Sequence, residues 1–103
     1  MKDLKDYILV NKRLLTLFGP NKATFLSNLV DKFNYFEKNN MLNEDGSFII
    51  TFKDQSNQTG MNEYELRKCK KFAKEKGFLS TYMKGIPSKE HYILYIDKII
   101  NEI

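Results

Sequence analysis

GMNEYELRKCKKFAKEKGFLSTYMKGIPSKEHYILY, residues 60–95, is the stretch whose reading decides the fold. Asn62 is a good helix N-cap, and from Glu63 onward Leu66, Cys69, Phe72 and Ala73 fall on one side of a helix running as far as Lys76. Gly77 stands where a helix C-terminal cap is wanted, since only glycine takes a left-handed turn without steric cost. Residues 78–84 and 90–95 are then two aromatic and β-branched runs, separated by Gly85-Ile86-Pro87-Ser88-Lys89. The pattern predicts a helix followed by a β-hairpin with a flexible tip.

Working towards the N-terminus, residues 53–59 are polar and predict a short helix ended by Gly60. With Gly60 in the turn, residues 52–72 read as a helix-turn-helix. Ser56, four residues earlier, occupies the close helix crossing where a small residue is needed and alanine is usual. Met61 sits in the turn, and Leu66 and Cys69 lock the second helix to the core. Asn43-Glu44-Asp45-Gly46-Ser47 is a turn, and residues 48–52 after it predict a strand. Before the turn, Phe25, Leu26, Leu29, Val30, Phe33 and Phe36 make one apolar stripe on a helix that begins near Pro20 or Asn21 and ends at Asn39-Asn40.

Leu14, Leu15 and Phe18 predict a short helix over residues 12–18, stopped by Gly19-Pro20. Tyr7-Ile8-Leu9-Val10, within residues 6–11, predicts an entering strand. Ile96, Ile99, Ile100 and Ile103 give a closing helix over residues 96–103. The order is strand, two helices, strand, two helices joined at a glycine, hairpin, helix. That is an α+β winged helix-turn-helix in which the hairpin is the wing, and we expect residues 1–103 to form one such domain.

Charge is segregated along this frame. Residues 67–89 hold eight of the 17 lysines and arginines and a single acid, Glu75, for a local net of +7. The whole chain is only +4, so the other 80 residues come to −3. Such segregation is the footprint of a surface that meets a polyanion. One cysteine excludes an internal disulfide, and one histidine leaves no credible zinc ligand set, so neither metal nor cofactor is expected. Paired carboxylates, a phosphate-binding glycine loop and a nucleophile constellation are all lacking at usable spacing, so a non-enzymatic function is expected. The apolar runs are far shorter than the ~20 residues of a membrane span. Lys2, Asp3, Lys5 and Asp6 break any signal-peptide core, and the expected location is cytoplasmic.

Two surfaces compete for the polyanion. On the second helix, Tyr64, Arg67, Lys68, Lys71 and Glu75 share one exposed face. Its leading end is acidic, with Glu63 and Glu65. These acids stabilise a helix N-terminus by ~0.3–1 kcal/mol, though a glutamate there can also accept from cytosine N4. Arg67 is the only arginine of the basic segment, and its planar fork suits phosphate or the edge of guanine. On the wing, Lys84 and Lys89 flank a tip in which Gly85 permits close backbone approach. Ile86 and Pro87 have the character of a groove-inserting wedge. Tyr82, Ser88, His91 and Tyr92 offer hydroxyl or imidazole groups to phosphate. The alternative is that Tyr82 and Tyr92 form a cross-strand pair and Ile86 caps the core. Lys70, Lys74 and Lys76 read as a solvated helix face, and Cys69 as a core residue.

The run Gly77-Phe78-Leu79 with Lys84-Gly85-Ile86-Pro87-Ser88-Lys89-Glu90-His91-Tyr92-Ile93-Leu94 resembles the wing of plasmid and phage winged-helix proteins of low-GC Gram-positive bacteria. Leu14-Leu15 through Phe18-Gly19-Pro20-Asn21, ahead of a long aromatic helix, resembles their opening. That group includes replisome-organiser and replication-initiator N-terminal domains. The short length is closer to the TcpK-like conjugation accessory proteins of clostridial plasmids. The resemblance implies a homodimer that binds double-stranded DNA at an origin of transfer, helps assemble a relaxosome with a relaxase, and contacts DNA chiefly through the wing. The residues and the resemblance agree on positions 84–91. The expected interface is therefore Arg67, Lys68, Lys71, Tyr82, Lys84, Gly85, Ile86, Ser88, Lys89 and His91. Rival roles for the same fold are transcriptional regulation, replication initiation, or protein interaction through the aromatic stretch 33–36.

Overall fold

The computed structural model describes residues 9–103. Among them run α1 (Lys12–Phe18), α2 (Pro20–Lys38), β1 (Phe48–Ile49), α3 (Phe52–Thr59), α4 (Glu63–Glu75), β2 (Leu79–Lys84), β3 (Lys89–Leu94) and α5 (Ile96–Glu102). The strands form one antiparallel sheet in the order β1-β3-β2. This is the α+β winged helix-turn-helix: α3 and α4 are the helix pair, and β2 with β3 is the wing.

Helices α1, α3 and α4 start where a side chain supplies missing hydrogen bonds. The Asn11 side chain accepts from the Leu14 amide at 3.0 Å to open α1. Gly19, at φ +86°, ends α1 and lets Pro20 begin α2 with no amide lost. Asn62 and Glu65 form a reciprocal capping box on α4, with bonds of 2.9 and 3.1 Å. The end of α4 is a Schellman motif: the Phe78 amide bonds the Ala73 carbonyl at 2.9 Å and the Gly77 amide bonds that of Lys74 at 3.1 Å. Gly77, at φ +77°, follows the C-cap Lys76.

The sequence reading placed these elements closely, and the differences have physical reasons. The strand expected over residues 48–52 is cut to two residues, because Ile50 turns into the core and the Thr51 hydroxyl caps α3 by accepting from Asp54 N at 3.1 Å. The first wing strand starts at Leu79 rather than at 78, since the Phe78 amide is spent on the helix stop. The second ends at Leu94, where Tyr95 becomes the N-cap position of α5 and gives its amide to the Phe78 carbonyl at 2.8 Å. Of the expected entering strand, Tyr7 and Ile8 lie outside the described residues. Leu9 and Val10 are in irregular structure rather than a strand.

The core joins all layers: Leu14, Phe25, Leu26, Leu29, Phe48, Leu66, Cys69, Phe78, Leu94 and Ile99 are buried in one cluster. The expected α2 stripe divides, with Phe25, Leu26 and Leu29 fully inside and Val30, Phe33 and Phe36 packed at its edge. Serine at the helix-turn-helix crossing has a use that alanine lacks: Ser56 Oγ donates to the Met61 carbonyl at 2.8 Å and ties the turn. Cys69 is buried, with Sγ 4.0 Å from Met61 Sδ.

One polar cluster crosses this core. Tyr92 is 2% exposed, and its hydroxyl accepts from Gln55 Nε2 of α3 at 2.8 Å and donates to Glu90 at 3.3 Å. Glu90 in turn accepts from Lys70 Nζ of α4 at 2.7 Å. Tyr92→Phe keeps the ring but strands the buried Gln55 donor. We expect a loss of about 1–3 kcal/mol in urea-melt stability. An unchanged melt would show that the cluster does not brace the fold.

Candidate nucleic-acid interface

The basic segment of residues 67–89 divides into charges spent on the fold and charges left to solvent. Lys70 belongs to the fold. Its half-burial is the largest single influence and works against the ammonium, but the hydrogen bond to Glu90 together with the charge interactions with Tyr92 and Glu90 outweighs it, and the pKa lies above the ordinary lysine value. Glu90 mirrors it: burial pushes the carboxyl up most, and the Lys70 hydrogen bond and charge, with help from Thr81 and Lys74, together more than reverse that, leaving it lowered. Lys76 pairs with Glu102 of α5 at 3.3 Å and lies over Phe18 at 5.6 Å. Lys70 is spent on the fold, whereas Lys76 is exposed and its pair is a surface one. Among the described residues Lys68, Lys71, Lys74, Lys84 and Lys89 have no ion-pair partner.

The exposed face of α4 is as expected in its members but not in their freedom. Arg67 is ion-paired to Glu63 one turn earlier, with side chains 74% and 58% exposed. Lys68 Nζ stands 5.1 Å from the centre of the Tyr64 ring, which is 68% exposed. Glu65 is consumed, bonding the Asn62 amide through Oε1 and Asn21 Nδ2 of α2 at 3.1 Å through Oε2. An exposed pair such as Arg67–Glu63 is worth only ~0–1 kcal/mol, so Arg67 is held loosely.

The wing carries its lysines at its far end. Lys84 and Lys89 are directly opposite each other in the ladder, and the four residues between them form the tip. Ser88 Oγ donates to the Gly85 carbonyl at 3.2 Å, and Gly85 adopts φ +102°. Ile86 is fully exposed. The alternative that Ile86 caps the core is therefore overturned: the apolar tip projects into solvent. So is a Tyr82–Tyr92 cross-strand pair, because Tyr82 faces His91 and Tyr92 faces Thr81. Burial also removes Tyr92 from any phosphate contact.

Tyr82 and His91 form a flat stack, with centroids 4.9 Å apart and planes 6° from parallel. The stack is bolted to the 43–47 turn. The Tyr82 hydroxyl donates to Asp45, the Ser47 hydroxyl lies 3.1 Å from it, and Asn43 Nδ2 donates to Ser47 Oγ at 3.0 Å while standing 3.4 Å from His91 Nδ1. The structure thus gives these two rings a bracing position on the wing, two rungs from the Lys84–Lys89 pair, with an acid beside the hydroxyl that the sequence offered to phosphate. Hydrogen bonding from the Ser47 side chain, then from Tyr82 and the Ser47 amide, holds the Asp45 carboxyl down at about 2. The Asp45 bond raises Tyr82 above the ordinary phenol value. Sequence reading took residues 43–47 only as a turn. The side-chain richness of Asn43, Asp45 and Ser47 was the signal, and the pairing of β1 with β3 is what brings them to the wing.

The arrangement offers an apolar tip, a pair of free lysines behind it, a braced stem and a second basic face on α4. Among the described residues no group of three or more His, Cys, Asp or Glu could hold a metal ion, and no helix is long and apolar enough to cross a membrane. No protein-family model matches the chain, and no curated protein does. Two solved structures share the fold. One is described as the N-terminal domain of a DNA-binding protein, with TM-score 0.64 and 18% identity over 100% of this chain and 96% of that one. The other is a Rep–DNA complex, with TM-score 0.66 and 19% identity over 100% and 97%.

The Asp45 brace makes a pH prediction. Its carboxyl is depressed in the fold, so its ionised form favours the folded wing. That contribution is whole above the ordinary value of 3.8 and is lost as pH falls through about 2. In a carboxyl NMR titration we expect Asp45 to titrate near 2. Titration close to 3.8 would show that the brace does not form.

Proposed function

We propose that this chain is a non-catalytic domain that binds double-stranded DNA, with the wing tip entering a groove and the exposed face of α4 flanking it. The observation that carries the reading is the far end of the wing, where Lys84 and Lys89 stand opposite each other behind a fully exposed Ile86. An apolar residue at that place costs solubility unless something covers it, and a wedge between base steps flanked by phosphate-binding lysines fits both features. Support comes also from the fold shared with a Rep–DNA complex and from the net +7 of residues 67–89. Lys84, Lys89, Lys68 and Lys71 contact phosphate, and Arg67 contacts phosphate or a guanine edge. Gly85 and Ser88 shape the tip, and Tyr82 and His91 hold the wing at its working angle.

The site is an origin on a mobile replicon. The sequence resemblance favours an origin of transfer, where the chain acts as a homodimer and a relaxosome accessory alongside a relaxase. A second reading, replication initiation, is favoured by the likeness to the Rep–DNA complex. Deleting the gene separates them: transfer frequency falls at constant copy number in the first case, and copy number falls in the second.

Binding itself is tested by the salt dependence of duplex affinity. Lys84→Ala and Lys89→Ala should each reduce the slope of log affinity against log salt by about one unit, with weaker binding across sequences. If the double variant bound duplex DNA like the parent across the titration, the wing would not be the contact.

A further inference from the structure

The acidic start of α4 holds two glutamates with different employment. Glu65 has both oxygens engaged inside the protein, one in the capping box and one on Asn21. Glu63 has no structural duty of that kind: it is exposed, and its one partner is Arg67, a turn further along the same exposed face. The face that would meet a duplex therefore presents its only arginine already neutralised by a neighbouring acid.

From this we infer that Glu63 is a specificity-determining residue, which keeps Arg67 occupied on non-cognate DNA and releases it only where a cytosine N4 donor can take Arg67's place. This rests on the duplex-binding reading above. When α4 approaches a phosphate backbone, moving Arg67 away leaves the Glu63 carboxylate facing negative charge, so an indiscriminate phosphate contact gains little. When it approaches a G·C pair, the arginine fork can bond guanine O6 and N7 while the freed carboxylate accepts from a cytosine amino group. Both charges then have partners, and the exposed ion pair is exchanged for two base contacts. On A·T pairs neither exchange is complete. Repulsion against the wrong partner combined with attraction to the right one is how charged interfaces discriminate. The wing supplies affinity, and the Glu63–Arg67 pair supplies selectivity for a C/G-containing step.

The neighbouring pair supports the geometry. Tyr64 and Lys68 occupy the adjacent positions of the same face, and Lys68 is drawn over the Tyr64 ring rather than towards Glu63. Lys70, the nearest lysine on the other flank, is committed to Glu90. Among the described residues Arg67 is the one cation ion-paired with Glu63.

The test is the full chain with Glu63→Gln, Arg67→Ala and the double variant. Each is titrated with a duplex selected from a random pool by the parent protein and with a scrambled duplex of equal composition. Glu63→Gln is expected to tighten binding to the scrambled duplex by about 5- to 10-fold, the scale of one removed like-charge contact, while weakening the preference for the selected one. Arg67→Ala should cut the selected-to-scrambled ratio by about 5- to 150-fold, the range set by a bidentate guanine contact. In the Arg67→Ala background the Glu63 carboxylate has lost its ion-pair partner, and Glu63→Gln should still tighten binding to the scrambled duplex. Parent binding with a Glu63→Gln ratio equal to the parent's overturns the inference and leaves the duplex-binding reading standing. A parent that retains no duplex at moderate salt overturns both. Equal thermal melts of the variants guard against reading a helix-capping loss as lost specificity.

Discussion

The hydroxyl of Tyr92 is the point through which the functional halves of the molecule are joined. It sits in the core, yet bonds Gln55 of α3 and Glu90 of its own strand, and Glu90 carries Lys70 of α4. A buried polar network is costly unless every member is satisfied, and no buried side-chain nitrogen or oxygen among the described residues lacks a partner. Because the network spans both helices of the helix-turn-helix and the inner strand of the wing, it fixes the basic face of α4 relative to Lys84 and Lys89. The two basic patches are thereby held in a fixed relation to each other. Preorganisation of this kind lowers the ordering cost of any binding event.

The Schellman stop at Gly77 and the Asp45 brace complete the same constraint from either end. The stop turns the chain from α4 into β2 and spends the Phe78 amide, which determines where the wing begins. The brace grips the wing through Tyr82 and His91, tying it to a turn about 40 residues earlier in sequence. Only the tip beyond Lys84 and Lys89 stands clear of both. The exposed end of the wing is therefore short and apolar, carried on a stem held at three points.

Much of this was legible from residue pattern. The helices of residues 12–18 and 20–38, the capping of α4 at Asn62, and the hairpin between Gly77 and Tyr95 followed from apolar spacing and from glycine, proline and asparagine at the boundaries. These are local signals, and local signals are what a sequence states most directly. The lysines of the basic segment were also visible, but their employment was not. Lys70 and Lys76 looked like solvated residues and are paired to acids 20 and 26 positions away, whereas the pairing of Arg67 with Glu63, four residues apart on one helix, was open to the same spacing argument. Partnerships across the fold depend on the ladder register and on which helix lies beside which strand, and neither is encoded in periodicity. The stacking of Tyr82 on His91 was not legible for the same reason: their alignment is a consequence of the β2–β3 register.

The central claim is that a braced wing and the exposed face of α4 form one duplex-binding surface. Titrating the isotopically labelled chain with duplex DNA and following the backbone amides by NMR addresses it most directly. The account predicts that the largest shifts cluster at residues 84–89 together with Arg67, Lys68 and Lys71, leaving the outer faces of α2 and α5 unperturbed. Shifts confined to α1, α2 and α5, with the wing tip silent, would contradict it.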